Sequence, residues 1–480
     1  MSFQWDPSIP DEWPEAERLS AWVFVALFFV IEGGALLITV LSWPRGAPIA
    51  SEKFMRDAVL LPLLLWLTLG SWLYAMAYDS VAFGNAVRNA ARWHLVTDWQ
   101  RSSRAGLPIL DSVILTPEPD LALRMLGLEG KAPENPGRVM ALDDVAATEG
   151  VSRVSALAGK LMTPLVPMLA RAMRDDSFDI VMQCDRQEVA GEIQAAWERL
   201  ELPGKPRIRW MDNSREIDFA KFWIDDDHKP LSFTHYVSEQ TPGYRLLLAW
   251  HLNEAAQAEP AMSEAAVALL VASPALMSER NRPRPQAWLL RQIVSDADQV
   301  DRSLGLLLKA EQVPADRIHH FWHGRLKGLA QHATMGALRD SGLTLAAHEL
   351  EQAVGPQAPV AHWAVQALAA KMAHYGQGPQ LMALPSEQGV VLNLAAKEAS
   401  SVSVPWKRTY EPDLFSGAEL IMFISLWAFG LLLSTDKTWD TSQTVFTCFI
   451  FVLIVLNVIR RFWSHRVLVH DFWDRYGGQS

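Results

Sequence analysis

Histidines are the main local concentration of side chains capable of chemistry in this chain. Three of them, His319, His320 and His323, lie in the segment RIHHFWHGRLKG, and others follow at His332, His348 and His362. Imidazoles at such spacings can converge on Zn²⁺. On a strand, however, His319 and His320 would point to opposite faces, and no Asp, Glu or Cys stands at the usual motif spacing. The pattern therefore predicts no metal site.

The signatures of the commonest enzyme classes are missing from the 480 residues. The sequence contains no GxxxxGK(S/T), no GxGxxG after a strand-like run, no GxSxG, no HExxH and no CxxC. These absences argue against P-loop ATPases, Rossmann dehydrogenases, serine hydrolases and zincins, and we expect no cofactor. A formal net charge of -11 without a basic stripe argues against nucleic acid as a partner.

The composition indicates a chain that is partly membrane-embedded. Hydrophobic side chains make up 50% of the chain and charged ones 20%. About 20 consecutive apolar residues are enough to cross a hydrocarbon core of about 30 Å. The pattern predicts four spans, paired as hairpins over residues 21–83 and 416–463. The apolar runs behind this prediction are Ala21–Trp43, Ala58–Tyr78, Gly417–Ser434 and Val445–Ile459.

One ionisable residue, Glu32, lies near the middle of the first apolar run and is followed by Gly33 and Gly34. A carboxyl group at that depth is costly and often functional, so Glu32 is a candidate intramembrane polar site. One alternative is a proton or ion pathway. The other is a protonated Glu32 that is hydrogen-bonded to a neighbouring helix, with the two glycines allowing close packing.

The distribution of positive charge predicts which side of the membrane the larger segments occupy. Four spans would place an acidic N-terminal segment (1–20), the central domain (84–410) and a C-terminal tail (464–480) on one side. Because basic residues near span ends favour the cytoplasm, that side is expected to be cytoplasmic. The basic residues concentrated there include Arg88, Arg92, Arg101, Arg104, Lys407, Arg408, Arg460 and Arg461.

The central domain alternates strand-like and helix-like patterns, which is typical of an α/β fold with helices on the faces of a sheet. The predicted strands are Ile109–Thr116, Phe178–Gln183, Arg207–Met211, Tyr244–Leu252, Ala265–Ala272, Ala287–Ile293, Arg317–Trp322 and Val390–Leu394. The predicted helices are Val154–Arg174, Arg186–Leu200, Asp296–Glu311, Leu326–Ser341 and Ala361–Tyr375. No internal repeat is visible in the sequence.

The last third of this domain resembles the C-terminal half of thiolase-like proteins of the ketosynthase group, over about 150 residues. In that family a strand ends in a His-Gly turn, a helix of small residues follows, and a second histidine opens another such helix before a last hairpin. Here His323-Gly324 matches the turn and His362 falls at the second histidine. The run AAVALLVA at Ala265–Ala272 is similar to the strand that precedes this region.

The family's motifs are altered at several positions. Its His-Gly-Thr-Gly-Thr turn is replaced by His323-Gly324-Arg325-Leu326-Lys327. A Lys and a Gly expected just before the second histidine are replaced by Gln357 and Ala361. Because the family's histidines polarise a thioester carbonyl among small residues, these changes predict a loss of condensing activity.

The family also needs a cysteine nucleophile at a strand-to-helix junction, where the helix N-terminus lowers the pKa of the thiol. Cys184 ends a strand-like run and precedes a helix, but Asp185 follows it and disfavours a thiolate. If the chain is an enzyme, the resemblance implies a triad of Cys184, His323 and His362. Otherwise Cys184 is structural, and it cannot pair with Cys448, which lies in an apolar run.

The overall layout resembles proteins of proteobacterial type VI secretion clusters, in which degenerate thiolase-like domains are fused to membrane hairpins. That resemblance implies an inner-membrane adaptor or immunity protein that binds a secreted effector or a spike protein. Two-fold dimers are also implied by the condensing-enzyme resemblance. Exposed tryptophans could anchor the partner, and the acidic run at 225–227 could meet a basic one. The alternatives are a membrane-bound acyl-condensing enzyme and a small transporter or channel.

Overall fold

The computed structural model describes residues 3–45, 48–49, 51–145, 151–212, 242–253, 260–278, 283–434 and 439–477. By internal contacts the chain divides into two compact units, which are described separately. Unit 1 comprises Met1–Trp99 and Ser403–Ser480, and unit 2 comprises Gln100–Val402.

Helices occur in both units. In chain order they are α1 (Ala21–Ser42), α2 (Glu52–Ser103), α3 (Leu121–Met125), α4 (Arg153–Met162), α5 (Val166–Asp175), α6 (Ala190–Arg199), α7 (Val300–Lys309), α8 (Gly328–Asp340), α9 (Leu350–Val354), α10 (Ala361–His374), α11 (Gly417–Leu433) and α12 (Thr441–Tyr476). Within α2, the stretches Arg56–Leu60 and Ala75–Asp79 are π-helical.

The strands that the structure describes belong to unit 2. They are β1 (Gly106–Leu115), β2 (Phe178–Gln183), β3 (Arg207–Met211), β4 (Tyr244–His251), β5 (Ala265–Ala272), β6 (Ala287–Leu290), β7 (Ile293–Asp296), β8 (His320–His323), β9 (Ala346–Glu349), β10 (Gln380–Ser386) and β11 (Gly389–Ala396). The predicted alternation of strands and helices is therefore confirmed.

Among the described residues of unit 1, three helices are long and apolar enough to cross a membrane. They are α1, α2 and α12, with 22, 52 and 36 residues. The fourth apolar run forms α11, which has only 17 residues and carries Glu419 in its first turn. At 1.5 Å per residue, this helix is about 25 Å long, which is shorter than the hydrocarbon core. The prediction of four spans is therefore corrected to three candidate spans and one shorter apolar helix.

A buried ionic network joins three helices of unit 1. The side chain of Arg461 on α12 is hydrogen-bonded to the carboxylate of Asp79 on α2. Its Nε lies 2.9 Å from Oε2 of Glu419 on α11, and Arg460 reaches the other oxygen of Glu419 at 2.7 Å. Arg461 is only 4% exposed, so its guanidinium group is removed from solvent. The carboxylates of Asp79 and Glu419 compensate the charge of this buried group.

The sheet of unit 2 is mixed, and its order reads β3-β2-β4-β5-β1-β6-β11-β10-β8-β9, with β7 also paired to β11. Two halves of this order are topologically equivalent. In the first half β2 is parallel to β3 and β4, and β5 is antiparallel to β4 and β1. In the second half β8 is parallel to β9 and β10, and β11 is antiparallel to β10, β6 and β7. The domain therefore has a doubled topology, joined by antiparallel pairing of β1 with β6.

The two faces of the sheet carry separate hydrophobic cores. One core contains the buried helix α10 together with inward-pointing residues of β4 and β5 such as Leu247 and Val267. The other core contains residues of α4, α5 and α6, which pack against the alternate residues of β4 and β5, such as Leu248 and Ala268. Since successive strand residues point to opposite faces, membership in one core identifies the face of each side chain.

Candidate functional site

The candidate site lies where strands of unit 2 end near the first turn of α10. Strand β8 ends at His323 and is followed by Gly324, and His362 is the second residue of α10. A side chain at Gly324 would begin 3.5 Å from Cγ2 of Val365 and 3.6 Å from Oε2 of Glu351. The end of β8 thus lies in van der Waals contact range of α10 and of Glu351.

His362 is almost completely buried. The residue is 3% exposed, and neither ring nitrogen has a hydrogen-bond partner among the described residues. Burial, with the positive charge of Arg325 as a smaller cause, lowers the pKa of His362 to about 3. The imidazole is therefore neutral at physiological pH, and either nitrogen is free to hydrogen-bond to a group that enters the site.

Further buried polar side chains around the first turns of α10 each have one oxygen without a partner among the described residues. Glu351 accepts a hydrogen bond from the backbone N–H of Arg325 through one oxygen, and its other oxygen is buried without a partner in the described chain. Gln366, one helical turn after His362, also has a side-chain oxygen that is buried without a partner among the described residues. Burial also raises the pKa of Glu351. Such unsatisfied groups are unusual in a native core, and here they are concentrated around the first turns of α10.

His323 belongs to the face of β8 that points away from α10. Its ring stacks on Phe321 with centroids 5.3 Å apart, whereas Trp322 between them belongs to the core that contains α10. The residue is 5% exposed, and burial lowers the pKa of His323. The strand therefore does not direct the imidazole of His323 towards His362.

Cys184 lies in the core on the side of the sheet opposite α10, together with Met182. Its Sγ is 3.1 Å from the carbonyl oxygen of Arg186, and its own carbonyl accepts a hydrogen bond of 3.0 Å from Nε1 of Trp210. Burial, with a smaller effect of the Asp185 carboxylate, raises the pKa of the Cys184 thiol. The thiol is therefore protonated and a poor nucleophile.

The residue before Cys184 faces the other way. The side-chain oxygen of Gln183 accepts a hydrogen bond from Nε1 of Trp363, the third residue of α10. Because adjacent residues at a strand end point to opposite faces, the side chain of Cys184 is directed away from α10. The structure joins the end of β2 to α10 through the side chains of Gln183 and Trp363, whereas the Cys184 thiol lies in the core on the other face of the sheet.

Two other histidines form a pair at the edge of the sheet. Nδ1 of His320 lies 3.1 Å from Nε2 of His348, and the ring of His348 lies 4.6 Å from that of Trp322. Burial and the neighbouring His320 lower the pKa of His348 to about 4. Within the described ranges, no group of three or more His, Cys, Asp or Glu side chains is arranged to hold a metal ion.

The tryptophans divide into buried and exposed sets. Within unit 2, Trp250, Trp322 and Trp363 are core residues, whereas Trp210 on the terminal strand β3 is 36% exposed. Trp406 in unit 1 is 45% exposed. Trp223 and the acidic run at 225–227 lie outside the described residues. Of the candidate anchors in the described part of unit 2, Trp210 is thus the accessible one.

Sequence reasoning missed Gln183, Glu351 and Gln366. The sequence pattern could have identified two of them. Gln183 ends the strand-like run FDIVMQ, and Gln366 interrupts a helix of small apolar residues. A polar residue in a fully buried element needs a partner, which marks such positions for inspection. Glu351 carried no comparable signal, since it lies in a polar stretch.

No protein-family model matches the chain. No curated protein matches it either. Several solved condensing-enzyme structures are similar at low identity. An oxazolomycin ketosynthase domain of Streptomyces albus is 10% identical, with 64% of this chain and 99% of that chain covered and a TM-score of 0.41.

Two further structures give the same picture. The ishigamide ketosynthase/chain length factor is 14% identical, covers 60% of this chain and 99% of its own, and has a TM-score of 0.38. The 3-oxoacyl-[acyl-carrier-protein] synthase III from Aquifex aeolicus is 10% identical, with 61% of this chain and 100% of that chain covered and a TM-score of 0.36.

Proposed function

We propose that this chain is a membrane-anchored protein whose thiolase-like domain, unit 2, binds another protein and performs no condensing reaction. The observation that carries the proposal is the orientation of Cys184, whose thiol is directed away from α10 and His362. Cys184 is the only cysteine of unit 2, since the other cysteine of the chain is Cys448 in α12. A cysteine nucleophile for thioester chemistry is therefore missing from the site that holds His362.

The order of elements in the second half supports the thiolase-like assignment. Strand β8 ends in His323-Gly324, helix α8 follows, His362 opens α10, and the hairpin β10–β11 comes last. This is the order that the sequence resemblance implies. The unpartnered groups around His362 fit a site inherited from such a fold, with its chemistry lost.

The terminal strand β3 is the proposed contact with the partner. It carries Trp210, Arg207 and Arg209 at the edge of the sheet. Tryptophan and arginine are the residue types most often found at the centre of protein interfaces. The finer proposal is that the partner is an effector or spike protein of a type VI secretion cluster and that the chain lies in a bacterial inner membrane with unit 2 in the cytoplasm. The layout of the sequence and the bias of its basic residues support this version.

Affinity purification of the full chain from membranes of its native cells tests the proposal. We expect one protein encoded nearby to co-purify in near-stoichiometric amount under mild detergent. Trp210→Ala should reduce its recovery about tenfold, because an anchoring tryptophan contributes on the order of 1–2 kcal/mol or more. Tyr375→Ala, which removes another exposed aromatic side chain of unit 2, serves as the matched control. Recovery of no partner would contradict the proposal.

A further inference from the structure

The single carboxyl group of α1 lies at the centre of that helix. Glu32 is eleven residues after Ala21 and ten before Ser42, which would put it midway through a bilayer. No hydrogen bond or ion pair joins Glu32 to any other residue that the structure describes. An unpartnered carboxyl group in hydrocarbon is costly even when it is neutral, so this position calls for a partner outside the single chain.

Helix α1 packs on α2 through the face that carries Phe24 and Phe28. The rings of Phe28 and Trp66 lie 5.3 Å apart, and Nε1 of Trp66 donates a 2.9 Å hydrogen bond to the carbonyl oxygen of Phe24. Since each helical residue turns by about 100°, Gly33 lies on the side of α1 opposite Phe24. Glu32 lies between these two sides, on the flank of the contact with α2, whereas Gly33 lies outside that contact.

The outward side of α1 is open at Gly33 among the residues that the structure describes. A side chain at Gly33 would meet nothing within 4 Å. Around the helix, Val25, Phe29 and Leu36 lie between Glu32 and Gly33, and they are 38%, 69% and 45% exposed. Their spacing of three or four residues forms one continuous stripe along the helix. Glycine at its centre lets a second helix approach the backbone closely.

We propose that this stripe is the contact through which two copies of the chain associate in the membrane, with the Glu32 carboxyl groups of the two copies hydrogen-bonded across a two-fold axis. A neutral carboxyl group is both a donor and an acceptor, so two copies related by a two-fold axis satisfy each other. A second copy supplies this complement at the same depth, and the Gly33 residues of both copies allow the required approach. The inference rests on the proposed membrane location of α1.

The test is to count subunits of the full-length chain by single-molecule photobleaching in liposomes over a range of protein-to-lipid ratios. Wild-type chain should form dimers. Glu32→Leu should weaken dimerisation about tenfold, because two interhelical hydrogen bonds are lost. Gly33→Ile should weaken it at least as much by holding the helices apart. Glu32→Gln should retain the dimer, since a carboxamide also donates and accepts.

The matched control is Gly34→Ile. Gly34 lies on the flank of α1 turned away from Glu32, and a side chain there also meets nothing within 4 Å, so the same substitution should leave the dimer intact. A wild-type chain that is monomeric in the bilayer, or a Glu32→Leu variant that dimerises like wild type, would overturn the proposal. Alkaline carbonate extraction of the same liposomes distinguishes failure of the proposed membrane anchoring from failure of the proposed dimer. A chain that is extracted overturns the membrane anchoring as well, whereas a monomer that resists extraction overturns only the dimer.

Discussion

The indole Nε1 of Trp363 donates a hydrogen bond to the side-chain oxygen of Gln183, and this bond joins the start of α10 to the end of β2. It fixes which face of the sheet each residue at the strand end occupies. Gln183 faces α10, and Cys184 consequently lies in the core on the other side. The separation of the only cysteine of unit 2 from His362 therefore follows from the register of a single strand.

The Trp363 to Gln183 hydrogen bond should contribute measurably to stability. Trp363→Phe keeps an aromatic ring but removes the donor, leaving a buried amide oxygen short of one partner. We expect a loss of about 1–2 kcal/mol in the free energy of unfolding, measured by chemical denaturation of the full chain in detergent. Trp210→Phe removes the donor of a partly exposed indole and should cost less. Equal losses in the two variants would contradict the role given to Gln183.

The Cys184 thiol should be unreactive in the folded protein. In a Cys448→Ser background, iodoacetamide at neutral pH should label Cys184 far more slowly than it labels the same chain in denaturant. The reason is that burial excludes the reagent and raises the pKa of the thiol. Mass spectrometry of the alkylated peptide gives the rate. Labelling of the native chain at the rate of the unfolded chain would show an accessible thiol, and faster labelling would show an activated thiolate; either result contradicts the burial of Cys184.

Acidification should destabilise unit 2 through His348. Its folded-state pKa, about 4, is below the unfolded value of 6.5, so the fold prefers the neutral imidazole. The stabilising contribution is complete above pH 6.5 and is lost as the pH falls from there towards 4. It amounts to roughly 3 kcal/mol. His348→Gln should reduce the pH dependence of the unfolding free energy in this window, to which the buried His362 also contributes, and a variant of the exposed His332 serves as the control.

Loss of Arg461 should destabilise unit 1. Arg461→Met leaves Asp79 without its guanidinium partner and removes one of the two that contact Glu419. We expect about 3 kcal/mol of destabilisation, seen as a lower unfolding temperature in detergent, because breaking a buried pair leaves an uncompensated charge. Arg475→Met removes an exposed pair with Asp471 and should cost well under about 1 kcal/mol. Equal unfolding temperatures for the two variants would show that the buried network stabilises unit 1 no more than an exposed ion pair does.

Buried strands could be predicted from the sequence where an apolar run is bounded by turn residues. Ala265–Ala272 and Phe178–Gln183 were predicted at their observed ends. The run Ala287–Ile293 instead contributes to two strands, since Ala287–Leu290 pairs with β1 and β11 whereas Ile293 begins β7, which pairs with β11 alone. Strand β10 was missed. It contains Pro385, which weakens a strand pattern.

The doubled topology and the face of Cys184 could not be predicted in this way. The two halves share strand order without a visible sequence repeat, so only pairing across the sheet shows their equivalence. The sequence correctly placed Cys184 after a strand and His362 at a helix start. Whether the two side chains meet depends on strand register and on the packing of α10, which are tertiary properties.

Intact-mass spectrometry of the full chain after incubation with acyl thioesters tests the central claim most directly. A condensing enzyme transfers the acyl group to its cysteine, and the mass rises by the acyl increment. With Cys184 protonated and directed away from His362, we expect the mass of the wild-type chain to stay unchanged. An acyl adduct on the wild-type chain that is absent from Cys184→Ala would contradict the account.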